Sequence, residues 1–319
     1  MTAELRPIAQ WTVGMRIANG YIQASKGVTN MPRFERILFP VDFSERSRAA
    51  APFVLSMAQR YKSKVVAIHV LQPPPPLYAG MNTVYPEVYD FEGLAADLRQ
   101  ELQKFVDAEL PKVDATCVVE TGDPAAVIME FTEAEKIDLI AMPTHGYGTF
   151  RRALLGSVTA KVLHDARVPV WTAAHAPEPS HRAHPQPRRI LCALGLKPES
   201  RHTLEFAIEL AGDSGATVEV VHAAPEGEVE PVNAESRLHE LLIEAARQKL
   251  VKIQEEVGGP DVEVVVNGGS VAHIVRTLAL QKRSDLVIVG RGCSQSALGR
   301  LRQNTYAIVR EAPCPVLSV

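Results

Sequence analysis

Residues 137–172, IDLIAMPTHGYGTFRRALLGSVTAKVLHDARVPVWT, are the stretch whose reading decides the fold. The apolar run Ile137–Met142, flanked by Asp138 near its start and by Pro143, has the pattern of a strand buried on both faces of a parallel sheet. A loop with Gly146 and Gly148 follows. Gly156-Ser157 then opens a helix, because Val158, Val162, Leu163 and Ala166 recur at helical spacing. Arg167 closes that helix, and Val168–Thr172 begins the next strand.

A glycine loop followed by a second glycine and a hydroxyl at a helix start meets the needs of a phosphate. Glycines let backbone N–H groups approach an anion, and the first helical turn carries unpaired donors. The spacing is not that of the P-loop, since no lysine follows Gly156, nor that of the dinucleotide fingerprint. Taken alone, the glycines suit ordinary turns and helix starts equally well. Together with the strand, the helix and the Ala-x-x-Pro-Val tail, the stretch resembles the nucleotide motif of the universal stress protein family: Gly, two residues, Gly, nine residues, Gly, then Ser or Thr. Here it stands as Pro143, Gly146, Gly156 and Ser157, with proline in the first glycine position. Proline has no N–H and a fixed φ, so a contact needing a donor or a left-handed backbone there is lost.

The chain around this stretch repeats a strand–helix period. Ile37–Asp42 reads as a buried strand ending in a carboxylate, and Ser44 caps a helix reaching Arg60. Lys64–Val70 is a second strand, and Pro73–Pro76 opens a surface excursion to Tyr89 over the open end of the sheet. A helix over about 91–110, a strand over Val113–Val119 and a helix opened by Asp123-Pro124 precede Ile137. Alternation of this kind implies right-handed crossovers and an open α/β sheet covered by helices. Ligands of such sheets sit beyond the carboxyl ends of strands where the order reverses. The resemblance implies two tandem Rossmann-like domains of the adenine nucleotide alpha hydrolase type, each in order 3-2-1-4-5. It also implies ATP, ADP or AMP as ligand, with magnesium left open, and Asp42, Gly146, Gly156, Ser157 and Val158 as its contacts. Asp42 alternatively caps its own turn, and Ser157 its own helix.

The second half repeats the first. Arg189–Leu194 answers Arg36–Val41, Asp285–Gly290 answers Asp138–Pro143, and Ala312–Val316 answers Ala166–Val170. Between these lie a helix capped near Ser200, a strand from Thr217, a long helix to Val257, a strand from Val262 and a helix from Ser270. The chemistry diverges: Gly195 replaces Asp42, Cys293 stands for Gly146, and Arg302-Gln303 stand for Gly156-Ser157. Nucleotide is therefore expected in the first half only, with the second as a structural partner. The expected division is an N-terminal extension (1–33), a first domain (34–173), a linker (174–187) and a second domain (188–319). The extension is either a short arm or residues upstream of a true start at Met31. The linker carries four prolines and the histidines His175, His181 and His184 without a structured frame for a metal.

Length and composition agree. A chain of 319 residues exceeds one ordinary α/β domain, and 46% hydrophobic with 22% charged residues describes a globular protein. A formal charge of -3 without a basic block argues against nucleic acid. The four cysteines form no CxxC, which fits reduced thiols and a cytoplasmic location. No apolar run spans a membrane. His145 has no acidic orienter beside it, and Arg151 and Arg152 are either solvated or available to outer phosphates. Apart from Asp42 no acid is evident near the loop, so catalysis is not favoured. A stress-response or regulatory nucleotide binder is the leading reading, with a nucleotide-free interaction module and a slow ATPase as alternatives. Both fifth strands fall at sheet edges, so the two halves are expected to pair there with Trp171 at the contact, leaving a homodimer open.

Overall fold

The computed structural model describes residues 34–72, 91–144, 155–173, 186–224, 233–291 and 300–319. The N-terminal extension, the Pro73–Pro76 excursion, most of the linker and the loop residues His145, Gly146, Gly148, Arg151, Arg152 and Cys293 lie outside them.

The N-terminal half runs β1 (Arg36–Pro40), α1 (Glu45–Tyr61), β2 (Lys64–Leu71), α2 (Phe91–Glu109), β3 (Ala115–Thr121), α3 (Pro124–Ala134), β4 (Leu139–Met142), α4 (Ser157–Asp165) and β5 (Val170–Thr172). The C-terminal half runs β6 (Arg189–Ala193), α5 (Ser200–Ser214), β7 (Thr217–Ala224), α6 (Asn233–Val257), β8 (Glu263–Gly268), α7 (Val271–Gln281), β9 (Leu286–Val289), α8 (Arg300–Glu311) and β10 (Val316–Ser318). Each half has the expected order 3-2-1-4-5, and the two join into one ten-stranded sheet, β3-β2-β1-β4-β5-β10-β9-β6-β7-β8. Pairing is parallel throughout except at the junction, where β5 and β10 run antiparallel.

Two local signals act as the sequence suggests. Ser44 accepts from the Ser47 N–H at the start of α1, and Asp123 accepts from the Ala126 N–H with Pro124 behind it. Several boundaries differ, among them β1, which ends at Pro40, and β4, which starts at Leu139; three others have a visible cause. β3 starts two residues late because Lys112 takes a left-handed φ of 64° and the ladder opens at Val65↔Ala115. β5 starts at Val170, since the preceding residue, Pro169, supplies only its carbonyl, to the Ile140 N–H. Ser200 is not the cap of α5: the chain enters that helix through turns from Ser200 N–H to Lys197 and from Arg201 N–H to Pro198, and Ser200 is buried in the first turn.

Strand residues alternate between two apolar layers. Ile37, Phe39, Val65, Ala67, Leu139 and Ala141 face α1 and α2, whereas Leu38, Val66, Ile68, Ile140 and Met142 face α3 and α4. Each layer continues into the other half, the first through Ile190 and Ile288 and the second through Leu191 and Val287. At the junction Trp171 pairs with Leu317, with Thr172 opposite Val316 and Val170 opposite Ser318. Thr172 Oγ1 donates to the Val316 carbonyl at 3.1 Å, and Ser318 Oγ to that of Val170 at 3.3 Å. Trp171 is 2% exposed, stacked on Phe53 at 3.8 Å and 6°, and its indole N–H has no partner among the described residues. Below the junction, Arg60 Nε on α1 donates to Asp213 Oδ2 on α5 at 2.6 Å. The expected pairing of the fifth strands, with Trp171 buried in it, is what the structure contains.

Two tests follow from this junction. Trp171→Ala removes the stack and leaves a void, and urea unfolding should show a loss of about 3–5 kcal/mol. Trp171→Phe keeps a ring against Phe53 while deleting the orphan donor, and should lose less than half as much; equal losses would mean that the ring stack contributes nothing. The second test uses pH. Burial raises the Asp213 carboxyl, but Arg60 and Tyr61 beside it outweigh that and hold it below the usual carboxylate range. A lowered folded-state value gives stability that is full above the unfolded value, about 3.9, and is lost as pH falls through the folded one. The melting difference between the wild type and Arg60→Gln should therefore be largest near neutrality and shrink below about pH 4. A difference independent of pH would show that the pair is not charged in the fold.

Candidate functional site

β1 and β4 pair only at Ile37↔Leu139 and Leu38↔Ile140. Beyond these residues each strand follows its outer neighbour. β1 continues with β2 to Pro40↔Ile68 and then by the Val41 N–H to the Ile68 carbonyl, and β4 continues with β5 to Met142↔Thr172. Their carboxyl ends therefore part, and the crevice between them is the switch point of the half.

Asp42 stands on the β1 side. Its Oδ1 accepts from the Ser44 N–H at 3.0 Å, Ser44 Oγ at 2.6 Å and Ser47 Oγ at 2.6 Å. The carboxylate thus organises the turn into α1, while Oδ2 has no bond among the described residues. Phe43, next in the chain, takes φ 62° and lies against the ring of His69 at 4.7 Å. A left-handed phenylalanine is uncommon, and the cap built by Asp42, Ser44 and Ser47 is what holds it. His69 Nδ1 lies 2.8 Å from the Val41 carbonyl; since that carbonyl only accepts, Nδ1 carries the proton. His222 does the same to Leu194 at 2.8 Å, so both histidines are braces of the strand ends, as their matching positions imply.

On the β4 side, the Gly156 N–H donates to the Thr144 carbonyl at 2.8 Å, and Thr159 Oγ1 donates to the Pro143 carbonyl at 3.0 Å. These bonds fasten the start of α4 to the end of β4. Gly156 is the N-cap residue, and among the described residues no side chain caps the helix. Its φ of -59° and ψ of 143° suit any residue, so the backbone conformation does not demand glycine; only a close approach to that position would. Ser157 is exposed and Val158 half-buried. The uncapped first turn keeps backbone donors available beside the crevice. The structure thus brings Asp42, Gly156, Ser157 and Val158 to the ends of two neighbouring strands. Gly146 lies outside the described residues.

A profile of the universal stress protein family matches residues 33–173 and again 187–319. The chain belongs to that family. A universal stress protein of Methanocaldococcus jannaschii is 32% identical over 142 residues, covering 43% of this chain and 80% of that protein. Universal stress protein A homolog 1 of Coxiella burnetii is 30% identical over 139 residues, covering 41% and 95%. Each thus compares with about half of this chain. The crystal structure of a universal stress protein from Archaeoglobus fulgidus covers 90% of this chain and 97% of its own, with a TM-score of 0.60 at 20% identity, a likeness of fold.

The second universal stress protein half departs from this geometry at each element of the crevice. Arg36↔Lys64 and Arg189↔Thr217 are equivalent registers, so Gly195, Leu196 and Lys197 occupy the places of Asp42, Phe43 and Ser44. The carboxylate and one of its two hydroxyl donors are gone, while the other, Ser47, keeps a counterpart in Ser200. α8 already begins at Arg300, so the counterpart of the Gly156 cap, Arg302, is the third residue of a helix. The Gly290 that remains has a packing reason: a Cβ there would come within 2.6 Å of Thr203 Oγ1. In the first half the equivalent of Thr203 is buried Ala50, and the equivalent of Gly290 is Pro143. The proline in the first motif position thus coincides with a smaller residue on the facing helix.

Arg291 was not legible as an interdomain residue. From the end of β9 its guanidinium donates to the Ala166 and Val168 carbonyls of the other half, each at 2.6 Å, and burial lowers it to about 10. It thereby caps the C-terminus of α4, where a cation is favourable. A cavity of about 660 Å³ opens here, away from the β1/β4 crevice, between His164 and Asp165 on one side and Glu199 and His202 on the other. Among the described residues no group of three His, Cys, Asp or Glu side chains could hold a metal, and no helix is long and apolar enough to cross a membrane.

Gly290→Ala should cost about 1–3 kcal/mol by forcing Thr203 aside. Adding Thr203→Ala should recover most of that loss in urea unfolding. No recovery would mean that Gly290 is kept for a reason other than this contact.

Proposed function

We propose that this universal stress protein binds an adenine nucleotide, ATP or its di- or monophosphate, in the N-terminal half alone, and acts as a stress-response or regulatory protein rather than as an enzyme. The observation that carries this reading is the start of α4. It is fastened to the end of β4, lacks a side-chain cap, and stands at the switch point next to Asp42. The N–H groups of Ser157, Val158 and Thr159 point out of an uncapped helix end, which is the chemistry a phosphate requires. Asp42 would meet the nucleoside with Oδ2, since Oδ1 is committed to Ser44 and Ser47. The glycine at 156 would then serve a close approach of the phosphate, as its backbone angles need no glycine. Gly146 belongs to the same proposed set. Magnesium, if bound, would be held by the phosphates, as in other nucleotide sites where the protein supplies few ligands.

The C-terminal half, with Gly195 and Arg302 in the decisive places, acts in this reading as a structural partner. The units are 34–173 and 188–319, in a cytoplasmic protein. Retained nucleotide would bias the arrangement of the pair, because α4 is also held by the other half at Ala160, Ala166 and Val168.

Calorimetric titration of the full chain with ATP should give one site per chain. Gly156→Val should weaken it at least tenfold, about 1.4 kcal/mol, without lowering the melting temperature, because its backbone angles accept a β-branched residue. Unchanged affinity would put the phosphate elsewhere. No binding of ATP, ADP or AMP by the wild type would favour the nucleotide-free interaction module, and turnover abolished by Asp42→Asn would favour the slow ATPase.

A further inference from the structure

In a dimer of identical units, a residue on the twofold axis meets its own copy. The two halves of this chain stand in that relation, and the residues meeting on the pseudo-axis can be read off the registers. Through β1, α1 and β2 the counterpart of a residue lies 153 positions on, as Arg36↔Lys64 and Arg189↔Thr217 require. The left-handed residues ending α1 and α5, Lys62 and Gly215, keep the same step. From α4 to β5 the step is 146, matching Val170 to Val316.

Three pairs of counterparts meet, one at each level of the molecule. On one face of the sheet Arg60 bonds Asp213, 153 residues away. Within the sheet Trp171 faces Leu317. On the other face Tyr306 Oη donates at 2.9 Å to the carbonyl of Ala160, 146 residues away. At every level the two members are unlike: opposite charges, a large ring against a branched aliphatic, and a phenol hydroxyl bonded to the backbone carbonyl of an alanine. Arg291 adds a one-sided contact, since its counterpart is Thr144.

We propose that the two halves form a matched, non-interchangeable pair, in which each half selects the other and rejects a second copy of itself. An N-terminal half against its own copy would set Arg60 against Arg60 and Trp171 against Trp171, with only Ala160 on the far face. A C-terminal half against its own copy would set Asp213 against Asp213 and Tyr306 against Tyr306. Like charges at 19–21% side-chain exposure are poorly screened, so each like pair is disfavoured where the unlike pair is held. Rejecting the unwanted pairing is as much a part of specificity as favouring the wanted one.

The test uses the full-length chain throughout. Arg60→Gln and Asp213→Asn remove the attraction, Arg60→Asp and Asp213→Arg impose the like pairs, and the double exchange Arg60→Asp with Asp213→Arg restores an unlike pair in reverse. The reversals should melt at least about 3 °C below the neutral variants, and the exchange within about 2 °C of the wild type. High salt should narrow the gap between reversal and neutralisation. Ala160→Tyr with Tyr306→Ala, exchanging the far-face pair across the axis, should likewise melt above Ala160→Tyr alone. If a reversal does not fold, the neutral variants and the exchange decide. Reversals no worse than neutralisations, or an exchange no better than the sum of its single variants, would overturn the proposal.

Discussion

The antiparallel ladder between β5 and β10 is the constraint on which the rest depends. Without it each half ends in a three-residue apolar edge strand with open N–H and C=O groups, a surface that pairs with whatever edge is available. With it, both edges are consumed at once and the two apolar layers become continuous through the molecule. Trp171 is the residue on which that junction closes. Its ring fills the layer beneath the ladder and lies flat on Phe53, and the unpartnered indole N–H is tolerated because the stack and the burial outweigh it.

The same junction divides the labour between the halves. In the N-terminal half the end of β1 holds a carboxylate in a cap, and the glycine that starts α4 gives the helix no side-chain cap. In the C-terminal half the equivalent positions have moved to other duties. Arg291 reaches across to α4 and β5, Gly290 makes room for Thr203, and α8 starts earlier. Equivalent positions thus serve different local contacts in the two copies. A duplicated chain can do this because each half folds against a partner that is always present, so the two copies are free to diverge.

Several features around the β1/β4 crevice were legible, and for local reasons. Ser44 and Asp123 were readable as caps because a cap is a matter of three or four adjacent residues. His69 and His222 hold matching places in the repeat, and each hydrogen-bonds the end of the neighbouring strand. What Asp42 does was half legible. Ligand contact and turn cap were both open from the residues, and the three bonds to Oδ1 establish the cap while leaving the second oxygen for another partner. Ser200 misled because a serine before a helical run looks like a cap, whereas Pro198 routes the chain into α5 by a tighter turn. Gly156 was read as admitting a close approach or as an ordinary helix start, and its ordinary backbone angles show that any demand for glycine there comes from space.

The sequence by itself determined the order of elements, the duplication and the divergence of the second half at Gly195 and Arg302, because periodicity, caps and matching motifs are written in neighbouring residues; the strand order within each half came from the family resemblance. It also placed the two fifth strands at edges and so implied their pairing. Only the tertiary structure decided which residues meet across that pairing. Arg60 with Asp213, Tyr306 with Ala160, and Arg291 with the α4–β5 turn are separated by more than a hundred residues. Their contacts follow from where a pseudo-twofold axis falls, and an axis is a property of two packed surfaces rather than of any stretch of chain.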